Sequence, residues 1–350
     1  MDGKLAPCHL YVSIAGEDKI KIFDVNAQTG RLTSIGEVAA KGRPAPMTID
    51  PGQQFIYVGR KDDRQISTYR RNFETGALLL IGTALLENDP DYLTTDRKGR
   101  FLLSTYFSAG TVAVHKIGND GVVQTPPVEW FITAKGAHSI QADPSNRFVF
   151  VPHIASNPYC PDAPNIILQF KFNEATGRLT ANTPDRVIPD KHLGPRHFCF
   201  HPDLDILYCC NQEGNSVTAY RFDTSRGILT AFQTVSTLPD AYKGENGCAE
   251  IQIAPSGRFI YVSNRGHNSI AYFSVNARTG RLTIVGYEPT EAVPRAFILD
   301  PYGEFLFAAG EASGRLAVYR VNKDTGELTL IETYIVGKSP EWVLFTRPTR

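Results

Sequence analysis

Seven glycines constrain this chain more than any other feature. They fall at Gly30, Gly76, Gly121, Gly177, Gly227, Gly280 and Gly326, at intervals of 45 to 56 residues. Around them one phrase recurs: a strand ending in an aromatic residue, a short polar stretch, most often Thr-Gly, then an apolar strand. Phe23-Asp24-Val25-Asn26-Ala27-Gln28-Thr29-Gly30-Arg31-Leu32-Thr33 is the fullest copy. Each glycine marks a turn that needs positive φ. A second phrase interleaves: a short strand, a Pro/Asp-Gly type turn, then an aromatic-rich strand. Ile49-Asp50-Pro51-Gly52 leads to Phe55-Ile56-Tyr57-Val58, and Ala254-Pro255-Ser256-Gly257 leads to Phe259-Ile260-Tyr261-Val262. Each unit thus holds four short strands with no helical period between them. Four-stranded units at this spacing are propeller blades.

The count closes. Two strands, near Leu10–Ser13 and Ile20–Phe23, precede the first Thr-Gly turn, and a lone strand, Trp342–Phe345, follows the last. That lone strand matches the inner strand missing from the first unit, and its pairing there would leave no free edge. A β-solenoid or two sandwiches are the rival arrangements. The expectation is an all-β, seven-bladed β-propeller, one domain over residues 1–350, closed between N- and C-terminal strands.

With 36 basic and 36 acidic residues the formal net charge is zero. Nucleic-acid and membrane-surface partners would want a basic excess, so a small molecule bound by local charge is expected. The segment Met1–Pro7 lacks the apolar core of a signal peptide, and no apolar run approaches the roughly 20 residues of a membrane span. The six cysteines show neither a CxxC pair nor zinc-ligand spacing. Reduced thiols and no export signal point to the cytoplasm. Nothing indicates a protein partner.

In an antiparallel blade the chain enters the innermost strand at the end where it leaves the second. Residues leading into inner strands, and residues after second strands, therefore meet at one end of the ring. The lead-in positions read Pro46-Met47, Pro90-Asp91-Tyr92, Gly136-Ala137-His138, Gly194-Pro195-Arg196-His197, Gly247-Cys248-Ala249-Glu250, Pro294-Arg295 and Pro340-Glu341-Trp342. The second set includes Arg60, Tyr106, His153, Asn211-Gln212-Glu213, Asn264-Arg265 and Gly310-Glu311. Singly, each reads as a solvated charge or a turn residue, and one of His197 and His201 as a satisfied core histidine. Together they form a cationic mouth, which is a binding site for an anion before it is a catalytic one.

Several arginines suit a carboxylate or phosphate through bidentate bonds. A carboxylate and a neutral histidine beside them can move protons or activate water, and an arginine can stabilise an oxyanion. No GxSxG elbow or Walker loop is present. No metal and no cofactor are expected, because His197 and His201, four apart on a strand, stand too far apart for one ion. Water addition to an activated carbonyl, or its reverse, remains.

Gly136-Ala137-His138-Ser139, Gly194-Pro195-Arg196-His197, Asn211-Gln212-Glu213, Ser263-Asn264-Arg265 and Pro294-Arg295-Ala296-Phe297 resemble, in order, the motifs of the seven-bladed propeller lactonase family. The resemblance covers essentially the whole chain. It is nearer the propeller-type bacterial 6-phosphogluconolactonases than carboxy-cis,cis-muconate cyclase. It implies hydrolysis of a small anionic sugar lactone, 6-phosphogluconolactone first, with muconate-type lactonisation or a non-catalytic scaffold as alternatives. His138, Arg196, Glu213 and Arg265 match the family's catalytic set. Arg295, His197 and Tyr92 are expected to touch substrate, and Glu213 and His138 both stand as the base. Tyr92 replaces a histidine frequent in that branch. Ser156–Pro164 is an insertion expected to lie over the same face.

Overall fold

In a computed structural model, residues 7–189 and 191–347 are described. The Met1–Pro7 reading lies almost wholly outside them. The described residues form seven four-stranded antiparallel sheets. Their innermost strands are Pro340–Phe345, Pro44–Ile49, Tyr92–Thr95, Gln141–Ala142, Pro195–Phe200, Gly247–Ile253 and Pro294–Leu299. Numbered in that order, they define blades 1 to 7. Blade 1 is composite: its inner strand pairs with Cys8–Ile14, in a register that sets Leu10 opposite Phe345 and Ser13 opposite Trp342. This is the expected closure. The strand-rich pattern has its physical cause in period-2 runs of β-branched and aromatic residues cut by tight turns. Among the described residues no helix is long and apolar enough to cross a membrane.

The turn glycines have a second use that their sequence context does not reveal. Each lies against a residue at the start of the second strand of the preceding blade. Gly227 has φ +70°, and a Cβ on it would stand 2.1 Å from a ring carbon of Phe148. The same contact joins Gly121 to Phe55, Gly177 to Phe101, Gly280 to Ile206 and Gly326 to Phe259. Gly30 against Phe305 carries the series across the closing seam, and Gly76 meets His9. Tyrosines two residues further on add hydrogen bonds to the glycine carbonyls: Tyr11 to Gly76 at 2.7 Å, Tyr208 to Gly280 at 2.8 Å and Tyr261 to Gly326 at 2.9 Å. So the two repeated phrases are the two halves of one inter-blade contact.

A methyl group at Gly227 would bring both left-handed strain and a ring clash. Gly227→Ala is expected to cost about 3 kcal/mol, measured as a lower urea midpoint with unchanged m-value. A change under 1 kcal/mol would mean that the seam is slack.

Candidate functional site

The lead-in residues of successive inner strands do meet around the channel. From blade 3, Asp91 and Tyr92 enter it; from blade 4, His138; from blade 5, Arg196 and His197. Blade 6 adds Glu250, blade 7 Arg295, and the closing strand Glu341 and Trp342. The His138 and His197 rings lie edge to face with centroids 5.1 Å apart. His197 also packs on Tyr92 at 5.2 Å and Trp342 at 6.2 Å. Tyr92 is therefore a wall residue, its hydroxyl accepting a bond from Gln141 Nε2 at 3.0 Å.

Two carboxylates address the histidines. Glu250 Oε2 accepts from His197 Nδ1 at 3.0 Å. Asp91 Oδ2 lies 3.5 Å from His138 Nδ1, while Asp91 Oδ1 accepts from Lys61 Nζ at 2.6 Å. Burial, then the Arg196 charge, hold the His138 imidazole well below its ordinary range, against the pull of Asp91. His197 is lowered by the same two causes in the same order, with Glu250 opposing. Both rings are neutral near pH 7.

The three arginines form one group. Arg196 is 1% exposed. Its Nη1 donates to the Ala249 carbonyl, and its buried Nε has no partner. Burial first, then the Arg265 and Arg295 guanidiniums, push it down to about 9. Arg265 donates from Nη2 to Gln212 Oε1 at 2.7 Å and to the Cys248 carbonyl at 3.2 Å. Arg295 is loosely paired, 3.8 Å from Glu311 and 4.0 Å from Glu341. Among the described residues neither Arg196 nor Arg265 has an ion-pair partner, so their charge is left for something that is not protein.

Glu213 reaches this group through Gln212, whose Nε2 donates to Glu213 Oε1 at 2.8 Å. Asn157 Nδ2 donates to the same oxygen at 3.0 Å. The insertion thus lies over the mouth, as its sequence position suggests. Asn157, Pro158 and Tyr159 line a cleft of about 410 Å³ with Gln212, Glu213 and Arg265. Tyr159 is 93% exposed. A larger cavity of about 540 Å³, lined by Leu85, His115, Pro126 and Trp130, lies at the outer strands of blades 2 and 3, away from these charges.

Two residues read from the sequence as facing the mouth are elsewhere. His153 and Tyr106 are fully buried. His153 Nδ1 is 3.1 Å from the Val151 carbonyl, and Tyr106 packs on Trp130. Each ends a strand whose last side chain turns into the interior. His201, the other half of the His197 pair, accepts from the Asp203 and Leu204 amides in a turn. Sequence reasoning placed Asp91, Glu250 and Glu341 at the mouth without giving them a role, and passed over Lys61. Asp91 and Glu341 hold the same lead-in position as Arg196 and Arg295, and Glu250 that of His197; that equivalence was the available signal. No three His, Cys, Asp or Glu side chains gather as a metal site among the described residues.

The arrangement can bind an anion and polarise a carbonyl while a neutral imidazole waits beside it. The chain matches the family model described as "Lactonase, 7-bladed beta-propeller" over residues 6–87 and 81–345. It is 35% identical over 334 residues to a 6-phosphogluconolactonase of Pectobacterium carotovorum, covering 95% of this chain and 97% of that one. Another, from Yersinia enterocolitica, is 33% identical over 339 residues, covering 97% and 98%. A solved structure described as a periplasmic gluconolactonase of Pseudomonas aeruginosa superposes with TM-score 0.88 at 23% identity, covering 98% and 100%. That likeness concerns the fold, and its periplasmic bearer means that the fold itself selects no compartment.

Proposed function

Since the chain belongs to the seven-bladed β-propeller lactonase family and is a hydrolase of sugar lactones, we propose that its substrate is 6-phosphogluconolactone. In this reading Arg265 and Arg295 hold the phosphate, and Arg196 polarises the lactone carbonyl. His138 takes a proton from the attacking water. The oxyanion collapses with cleavage of the ring C–O bond, and the released hydroxyl takes up a proton. The product is 6-phosphogluconate.

One observation carries this reading: two guanidiniums without ion-pair partners, and a third loosely paired, stand around a buried neutral imidazole. A dianionic phosphate offsets the mutual repulsion of the arginines. A neutral histidine next to them is in the right state to accept a proton. Glu213 suits the base less well, because one of its oxygens already accepts from both Gln212 and Asn157. It fits better as an acceptor for sugar hydroxyls at the cleft wall.

The test is turnover of 6-phosphogluconolactone, unphosphorylated δ-gluconolactone and a phosphate-free bulky lactone, each corrected for spontaneous opening. The phosphorylated lactone is expected to lead by roughly 10²-fold in kcat/KM, as charge-assisted bonds to one group would give. Equal turnover of phosphorylated and plain lactones would overturn the substrate assignment. No turnover of any would overturn the site.

A further inference from the structure

We infer that Asp91 and Lys61 are positioning residues that hold His138 with its proton on Nδ1 and leave Nε2 as the proton acceptor. This rests on the reading of His138 as the base. Three consecutive blades supply the parts. Lys61 follows the second strand of blade 2, Asp91 leads into blade 3, and His138 leads into blade 4. Nothing in the family comparison assigns a role to Lys61 or Asp91.

The geometry is specific. Lys61 and Asp91 side chains are each 9% exposed and joined at 2.6 Å. That bond takes one carboxylate oxygen and leaves the other, Oδ2, buried and without a hydrogen bond. The atom it faces, His138 Nδ1, is likewise buried and without one, 3.5 Å away. Two unsatisfied buried polar atoms pointing at each other are costly unless they close on one another. A shift of a few tenths of an ångström closes this gap, and catalytic hydrogen bonds are commonly long before substrate binds. A carboxylate can only accept here, so Nδ1 must donate. That fixes the tautomer, and Nε2 carries the lone pair. The His138 backbone is already fixed by its amide bond to the Pro152 carbonyl at 3.0 Å. Phe107 closes one side of the ring at 5.8 Å.

Lys61 keeps Asp91 ionised. Burial alone would raise the Asp91 carboxyl, but Lys61, then His138 and Arg295, outweigh it and hold it far below the usual carboxylate range. The charges that bear on His138 are thus Asp91 on one side and Arg196, Arg295 and the His197 ring on the others. Asp91 is the anion that pulls against them, and Lys61 tempers it.

Opposite electrostatic signs give a signature that a structural role would not. Asp91→Asn removes the anion and presents an amide that can donate to Nδ1, favouring the wrong tautomer. Its kcat is expected to fall roughly 10²-fold with KM within threefold, and the acid limb of the pH profile to move to lower pH. Lys61→Met removes the cation that offsets Asp91, while His138 and Arg295 still favour its ionised form, so its acid limb should move to higher pH, with kcat reduced about tenfold. Both limbs moving the same way, or both variants retaining kcat within threefold, would overturn the inference. His138→Gln separates the two readings. If it is inactive while Asp91→Asn is fully active, only the positioning role fails. If it is fully active, the base assignment fails first. Should the variants not fold, long-range 1H–15N correlation of the wild-type imidazole decides: protonated Nδ1 and bare Nε2 are expected, and the opposite tautomer overturns the proposal.

Discussion

Replacing Arg196 with methionine is expected to lower kcat/KM about 10³-fold while leaving thermal stability equal or higher. The first half follows from its place. It is the arginine whose charge bears most on His138, and loss of a preorganised donor to a developing oxyanion costs about 10²–10³ in rate. The second half follows from its surroundings. The side chain is 1% exposed, its Nε is unpartnered, and the charges that bear most on it are two more arginines. A buried charge in that setting is a burden on the fold, and methionine matches its length without the charge. The Ala249 carbonyl loses a donor but keeps a weak one in Cys210 Sγ at 3.5 Å. Activity assays and thermal melts on the same preparation read both halves. A variant within tenfold of wild type would remove Arg196 from the chemistry. A large drop in Tm would make it a structural residue instead.

The second large effect is acid unfolding that begins unusually near neutrality. Six of the eight histidines, His9, His115, His138, His153, His197 and His201, are held below their ordinary range, in each case with burial as the largest cause. Each takes its proton more readily unfolded, near 6.5, than folded. Below that pH the unfolded chain binds more protons, so stability is complete above about 6.5 and falls as pH drops. For His153, lowered to about 4, the loss reaches about 2 kcal/mol at pH 5. The other five add losses of the same sign, against a total stability of about 5–15 kcal/mol for a typical domain. Asp91, whose folded value is depressed, adds a further loss below about pH 4. Melts between pH 7.5 and 5 should show Tm falling steeply, and His153→Leu should flatten the slope. A Tm unchanged over that range would sink the argument.

Much of the fold was legible because its causes are local. A positive-φ turn needs glycine wherever it occurs, so Gly30 to Gly326 announced seven units. Alternating apolar strands announced what lay between them. Ring closure was legible from Trp342–Phe345 because a lone strand needs a partner. The site was legible in its cations, since Pro-Arg before an apolar strand is conspicuous. Its pairings were not. Lys61, Asp91 and His138 belong to three different blades, and only the ring brings Asp91 Oδ2 within 3.5 Å of His138 Nδ1. His153 misled because the position after a strand predicts a face, whereas the direction of its last side chain depends on packing.

The turn-glycine seams lie at one end of the ring, where each turn meets the start of the second strand of the preceding blade. At the other end the blades are joined by side chains instead, Lys61 to Asp91, His197 to Glu250 and Arg265 to Gln212. The Ser156–Pro164 segment already lies there, adding Pro158 and Tyr159 to the mouth while the Phe148–Gly227 and Phe101–Gly177 contacts on either side of its blade stay in place. Loop length at the mouth can therefore vary from one descendant to the next without disturbing the turn-glycine seams. Grafting the mouth loops of one such ring onto another should change what is bound and leave the scaffold's melting behaviour intact.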